Sequence, residues 1–194
     1  VGSDYPIGIK INSADFQRGG FTEKESMEVI RLLGNEGIDL IEISGGTYEK
    51  PAMVQGIQKQ STVSREAYFL DYIEKARKLI KTPLLLTGGF RTVKVMEKAL
   101  EDGSLDVVGL ARPFCLYPYL ANQIFDGSVK QFDTPTPKIG IKFLDKLGGV
   151  ELPWYELQIQ RIGNGKSPKT DLSGIFAFWF SLKSLFFKSF WKNS

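Results

Sequence analysis

Apolar residues fall into short runs separated by longer stretches of helical period. Ile7-Gly8-Ile9-Lys10-Ile11 reads as a strand carrying one cation, and Met27, Val29, Ile30 and Leu33 follow at helical spacing behind Thr22 and Glu25. Threonine three residues ahead of glutamate is a capping box, so a helix is expected to open at Thr22 and to stop at Gly34 or Gly37.

The same plan recurs three times. Ile38 to Ser44 is a second strand, followed by Gly45-Gly46, a polar loop to about Val63, and a helix capped by Ser64 that runs to about Ile80. Pro83 to Thr87 runs into Gly88-Gly89-Phe90, with a helix from Thr92 to about Ala99. Leu105 to Leu110 runs into Ala111-Arg112-Pro113, with a helix near Tyr119 to Phe125. Short apolar strands, each followed by a helix, predict an α/β fold with a parallel sheet covered by helices. An open doubly wound sheet and a (β/α)8 TIM barrel both satisfy that pattern. A whole barrel needs eight units and typically ~250 residues, whereas four units are legible here, so half a barrel is the expectation. The first strand begins within a few residues of Val1 with no leader before it, which reads as a cut.

After Gly127 the pattern dissolves. Pro135 and Pro137 interrupt the chain, a helix-like region follows from Lys138 to Leu147, and a short helix is expected from Trp154 to Ile162, broken by Gly163-Asn164-Gly165-Lys166. Leu172 to Trp191 is rich in aromatic residues. Wound as a helix, it would put Ser181, Ser184, Lys188 and Lys192 on a narrow face and Trp179, Leu182, Phe186 and Phe190 on a broad apolar one, interrupted by Lys183. The expected organisation is a half-barrel over 1–127, an irregular and helical extension over 128–171, and an aromatic amphipathic C-terminal helix over 172–194.

Composition narrows the function. With 42% hydrophobic and 24% charged residues the 194-residue chain has the makeup of a soluble globular domain. The net charge is +3 and the basic residues are scattered among acidic ones, so nucleic acid is not an expected partner. Cys115 is the single cysteine, which excludes an intramolecular disulfide and fits a reducing compartment such as the cytoplasm. It follows Phe114 in an apolar context with no nearby base, as a packing residue would. Histidine is absent, which removes the usual general base and metal ligand and leaves chemistry to a cofactor or to Lys, Tyr and carboxylates.

The candidate groups sit where strands end. In barrels the loops after the strands form the active face, and those after the last two strands often hold a phosphate. Gly88-Gly89 and Arg112 occupy those places: glycines admit backbone N–H groups to an anion, and an arginine fork takes two phosphate oxygens. The same residues also fit a tight turn and a surface ion pair. Lys10 suits a cation beside a flavin, whose reduction places negative charge near N1, and it equally suits a lysine paired with a carboxylate. Glu42 and Ser44 share one strand face, where Glu42 fits a base or, more often, a structural partner of Lys or Arg. Tyr48 and Arg65 either touch a ligand or order their loop.

Five blocks then come in a telling order: Ile7-Gly8-Ile9-Lys10-Ile11-Asn12-Ser13, Ser44-Gly45-Gly46-Thr47-Tyr48-Glu49, Arg65-Glu66-Ala67-Tyr68-Phe69, Thr87-Gly88-Gly89-Phe90-Arg91 and Gly109-Leu110-Ala111-Arg112-Pro113. In that order they resemble the NADH:flavin oxidoreductases related to old yellow enzyme, over roughly Val1 to Asp126. The resemblance implies the C-terminal half of the barrel, strands five to eight, with FMN at the strands' C-terminal ends. It implies that Lys10 is the basic residue beside the flavin pyrimidine, often an arginine in relatives. Gly88 and Gly89 match the loop whose backbone binds the FMN phosphate, Arg112 the phosphate arginine, and Ala111 a position where relatives commonly have glycine. In the full enzyme NAD(P)H would reduce FMN, and the flavin would pass hydride to a small-molecule acceptor such as an activated alkene.

The family's first four strands carry the contacts to flavin N5 and the groups that hold and protonate the substrate, and no such blocks occur in this sequence. The chain alone is therefore expected to be inactive. Its expected partners are a missing N-terminal half-barrel or a second copy paired through open sheet edges. The alternative is a non-catalytic interaction module, with the tail in peripheral contact with a membrane. That tail is too short and too interrupted by lysine to span a bilayer, which needs ~20 apolar residues, and docking on the barrel is the favoured role.

Overall fold

The computed structural model describes residues 2, 4–15, 18–44, 70–141 and 150–180, and the chain divides into two compact units, Val1–Ala111 and Arg112–Ser194. In the first unit, strands β1 (Gly8–Asn12), β2 (Leu40–Ser44), β3 (Leu84–Thr87) and β4 (Val107–Gly109) form one sheet in the order β1-β2-β3-β4, each neighbouring pair parallel. Helices α1 (Glu23–Asn35), α2 (Leu70–Arg77) and α3 (Val93–Glu101) lie between successive strands along the chain. This is the α/β arrangement expected from the apolar runs. The predicted Ser64 cap and the loop after Ser44 lie outside the described residues.

Local sequence explains the elements. At the start of α1 the Thr22 hydroxyl accepts the Glu25 N–H at 3.3 Å while the Glu25 carboxylate accepts the Thr22 N–H at 2.8 Å, the reciprocal pair that the capping box predicts. Along β2 and β3, Ile41 and Ile43 are register partners of Leu84 and Leu86, and all four are fully buried. Ile30, Ile73, Ala76 and Met96 bury from the helices. Each of the isoleucine, leucine and methionine side chains contributes about 1.5–3 kcal/mol through apolar burial.

Alternation sends the other parity to the opposite face. There Lys10 pairs in register with Glu42, Glu42 with Leu85, Leu85 with Val107, and Thr87 with Gly109. Gly109 has a steric reason to be glycine, since a Cβ there would lie 2.0 Å from Thr87 Oγ1 and 2.8 Å from Leu85 Cδ2.

Two aspartates fix where strands begin. The Asp39 carboxylate accepts the Ile7 N–H at 2.7 Å while the Asp39 N–H donates to the Ile7 carbonyl at 2.9 Å. Asp106 repeats the device on Leu84, accepting its N–H at 2.7 Å and donating to its carbonyl at 2.8 Å. Asp106 also pairs with Arg77, whose guanidinium reaches the Thr82 carbonyl at 3.3 Å.

The second unit opens with a short 3-10 helix, Arg112–Cys115, followed by α4 (Leu120–Phe125) and α5 (Glu151–Gly163). Its core gathers Leu116, Val150, Trp154, Tyr155, Leu157 and Ala177, with Cys115, Tyr117 and Ile139 packed against them. Burial raises the Cys115 thiol pKa, so the sulfur is a protonated packing group, as the apolar context suggested. The helix expected from Lys138 to Leu147 is corrected over its described part: Lys138–Ile141 is not helical. Gly140 sits at φ 90°, a left-handed conformation that an α-helix cannot contain. Residues 174–180 are helical, while the rest of the aromatic tail lies outside the described residues. Among the described residues no helix is long and apolar enough to cross a membrane.

Candidate functional site

Three strands of the first unit meet in one polar row. Lys10 Nζ donates to Glu42 Oε1 at 2.5 Å, and the same oxygen accepts the Thr87 hydroxyl at 2.7 Å. Thr87 lies two residues beyond Leu85, the register partner of Glu42, so the carboxylate reaches along its face toward the C-terminal end of the sheet. Glu42 is thus a structural partner of a lysine. The Lys10 side chain is 55% exposed and that of Glu42 27%, so water screens the pair and its net contribution is about 0–1 kcal/mol. The pair fixes position and charge more than it fixes stability.

Past β1 a second polar cluster orders the loop into α1. Ser44 Oγ donates to Asn12 Oδ1 at 3.1 Å, Asn12 Nδ2 donates to Asp15 Oδ1 at 3.2 Å, and Asp15 Oδ2 accepts the Phe21 N–H at 3.0 Å. Ser26 Oγ donates to the Asn12 carbonyl at 2.6 Å and lies 2.6 Å from the Tyr72 hydroxyl, which leaves Tyr72 as the donor to Ser26. Burial raises the Tyr72 pKa, opposed by that hydrogen bond. The Ser13 hydroxyl is buried and has no partner.

At the end of β3, Gly88 and Gly89 have φ of 122° and 86°, the backbone region that favours glycine. Both readings of the pair, turn and anion cradle, require this geometry, and side chains there would strain it by about 1–2 kcal/mol each. Ala111 is exposed and follows β4 by two residues. Tyr48 and Arg65 lie outside the described residues.

In the second unit Arg112 Nη1 donates to Glu151 Oε1 at 2.5 Å. This is an ion pair, though not the surface pair the sequence suggested: the Glu151 side chain is 8% exposed and that of Arg112 23%. Glu151 carried no signal in the sequence, since it lies 39 residues from Arg112 and just ahead of the helix expected from Trp154. Thr87 was visible only as part of a block; its contact with Glu42 follows from register. Among the described residues no group of His, Cys, Asp and Glu could hold a metal ion.

Parallel strands that end in a polar row and a left-handed glycine pair define an α/β protein of the kind that places ligands at the carboxyl ends of its strands. No protein-family model matches the chain. Individual relatives do. The NADH-dependent flavin oxidoreductase iliE of Hypocrea jecorina is 38% identical over 160 residues, 77% of this chain and 39% of that protein. The NADH-dependent flavin oxidoreductase nadA of Aspergillus parasiticus is 35% identical over 169 residues, 86% of this chain and 36% of that protein. Among solved structures, a 2-naphthoyl-CoA reductase in complex with 2-naphthoyl-CoA superposes with a TM-score of 0.57 at 29% identity, covering 65% of this chain and 19% of that one. Over most of its length the chain is thus similar to NADH-dependent flavin oxidoreductases, and it spans less than two fifths of the length of these relatives.

Proposed function

We propose that this chain supplies the phosphate side and the pyrimidine side of an FMN site in an NADH-dependent flavin oxidoreductase, as four consecutive βα units of a (β/α)8 barrel. The observation that carries this reading is the glycine pair in left-handed backbone at the end of β3, one strand before the chain runs from β4 into Ala111 and Arg112. The donor set fits the group: backbone N–H groups at Gly88 and Gly89 and the Arg112 guanidinium suit a phosphate, and Lys10 suits the electron-rich side of a flavin ring. Lys10 brings less charge than an unpaired cation would, because Glu42 offsets it.

Bound FMN would supply hydride chemistry, accepting hydride from NADH and passing it to a small-molecule acceptor. The chain's own residues bind and orient. Four further βα units, outside this sequence, would cover the face that carries Lys10, Glu42 and Val107 and would bring the substrate groups. A second copy paired through the edges of β1 and β4 is the competing way to cover it, and light scattering distinguishes the two: a concentration-independent monomer excludes self-pairing.

Titrating the purified chain with FMN tests the central claim. Quenched flavin fluorescence and a shifted visible spectrum are expected, and an unchanged spectrum with excess chain overturns it. Gly89→Val is expected to weaken FMN at least about tenfold, since it strains the cradle and blocks backbone approach.

A further inference from the structure

We propose that Glu151 is the positioning residue for Arg112, holding its guanidinium ready for the phosphate of a bound flavin nucleotide; this rests on the phosphate role given to Arg112 above. A carboxylate as buried as Glu151 is costly unless a cation meets it, and the cation it meets is Arg112. Both ends of the contact are rigidly mounted. Glu151 opens the 13-residue helix α5 between Val150 and Trp154, two core residues that are almost fully buried. Arg112 opens a turn in which the Pro113 carbonyl accepts both the Leu116 N–H at 3.0 Å and the Tyr117 N–H at 2.8 Å.

An arginine side chain has wide rotamer freedom, and freezing it before the ligand arrives removes that cost from binding. The ion pair engages Nη1, while a guanidinium carries five N–H donors, so a forked edge remains for two anion oxygens. The region after the strands thereby gains a function: it sets the phosphate arginine. Nothing in the five sequence blocks pointed to it.

The test compares FMN with riboflavin, which lacks the phosphate, on the whole 194-residue chain. Dissociation constants are measured for wild type, R112A, E151A and E151Q by flavin fluorescence and calorimetry. We expect R112A and E151A each to weaken FMN about tenfold, the loss of one charge-assisted contact or its orientation, with riboflavin unchanged. E151Q, which keeps an acceptor oxygen for Nη1, is expected to stay within about threefold of wild type for FMN. Equal losses for both flavins in E151A would make Glu151 a fold staple only and overturn the proposal, as would an E151A variant that binds FMN like wild type. Failure of R112A to separate the two flavins, or absence of flavin binding by wild type, overturns the phosphate reading itself and this inference with it.

Discussion

At two strand starts of the sheet unit the same residue type does the same work: Asp39 grips both backbone groups of Ile7, and Asp106 grips both of Leu84. The second unit has no such repetition among its described residues. Trp154 Nε1 donates to the Leu172 carbonyl at 2.8 Å, the Tyr155 hydroxyl to the Pro135 carbonyl at 2.8 Å, and the fully buried Gln158 bonds both backbone groups of Lys169. A repeated backbone lets one solution serve several times, so losing one copy leaves the others in place. Irregular chain needs a different side chain for each turn, and each carries its own segment.

The sharpest way to break that contrast is Trp154→Ala. Truncating a fully buried indole that also ties Leu172 is expected to cost about 3–5 kcal/mol. Hydrogen exchange should show protection falling across 150–180 while β2 and β3 keep theirs. Equal loss in the sheet would show that the units share one folding transition and that the contrast has no energetic meaning.

Within the sheet unit the two aspartates allow a finer measurement. Asp106→Ala unpairs the Leu84 N–H and also strips Arg77 of its carboxylate, leaving a guanidinium whose Nε is already buried without a partner. A cost of about 2–3 kcal/mol is expected, against about 1 kcal/mol for Asp39→Ala, which loses a single exposed bond. Urea midpoints followed by far-UV circular dichroism give both values. If Asp39→Ala proves the costlier, the role given to Arg77 is wrong.

The same contrast decides what could be read from sequence. Period carries information wherever the backbone repeats, so the strands, their parallel class and the Thr22–Glu25 cap were legible, whereas the register that sets Lys10 beside Glu42 was not. Asp39 and Asp106 fell inside the expected strands Ile38 to Ser44 and Leu105 to Leu110 and drew no reading, because nothing local says that a carboxylate will reach the neighbouring strand. Lys138 onward had an apolar pattern compatible with a helix, and Gly140 overrode it through its backbone conformation. The Glu151 contact was invisible for a third reason: it joins a residue just past a strand to the first residue of a helix 39 positions away, and only tertiary packing selects that partner.

The smallest effect expected is the pH response, and it should separate the units by residue. Burial raises both the Tyr72 phenol, in the sheet unit, and the Cys115 thiol, in the other, above their ordinary values of 10.0 and 9.0. A raised pKa means that the folded state binds the proton more tightly than the unfolded chain does. Its contribution to stability is therefore complete below the ordinary value and is lost as pH rises through the folded value. Stepping from neutral to strongly alkaline buffer, the second unit should weaken first, because the thiol titrates from the lower starting point. Cys115→Ala should flatten the early loss and Tyr72→Phe the later one, each read by hydrogen exchange or urea midpoint in its own unit. An alkaline profile unchanged by Cys115→Ala would mean that the thiol is solvated in the folded chain and is no part of that core.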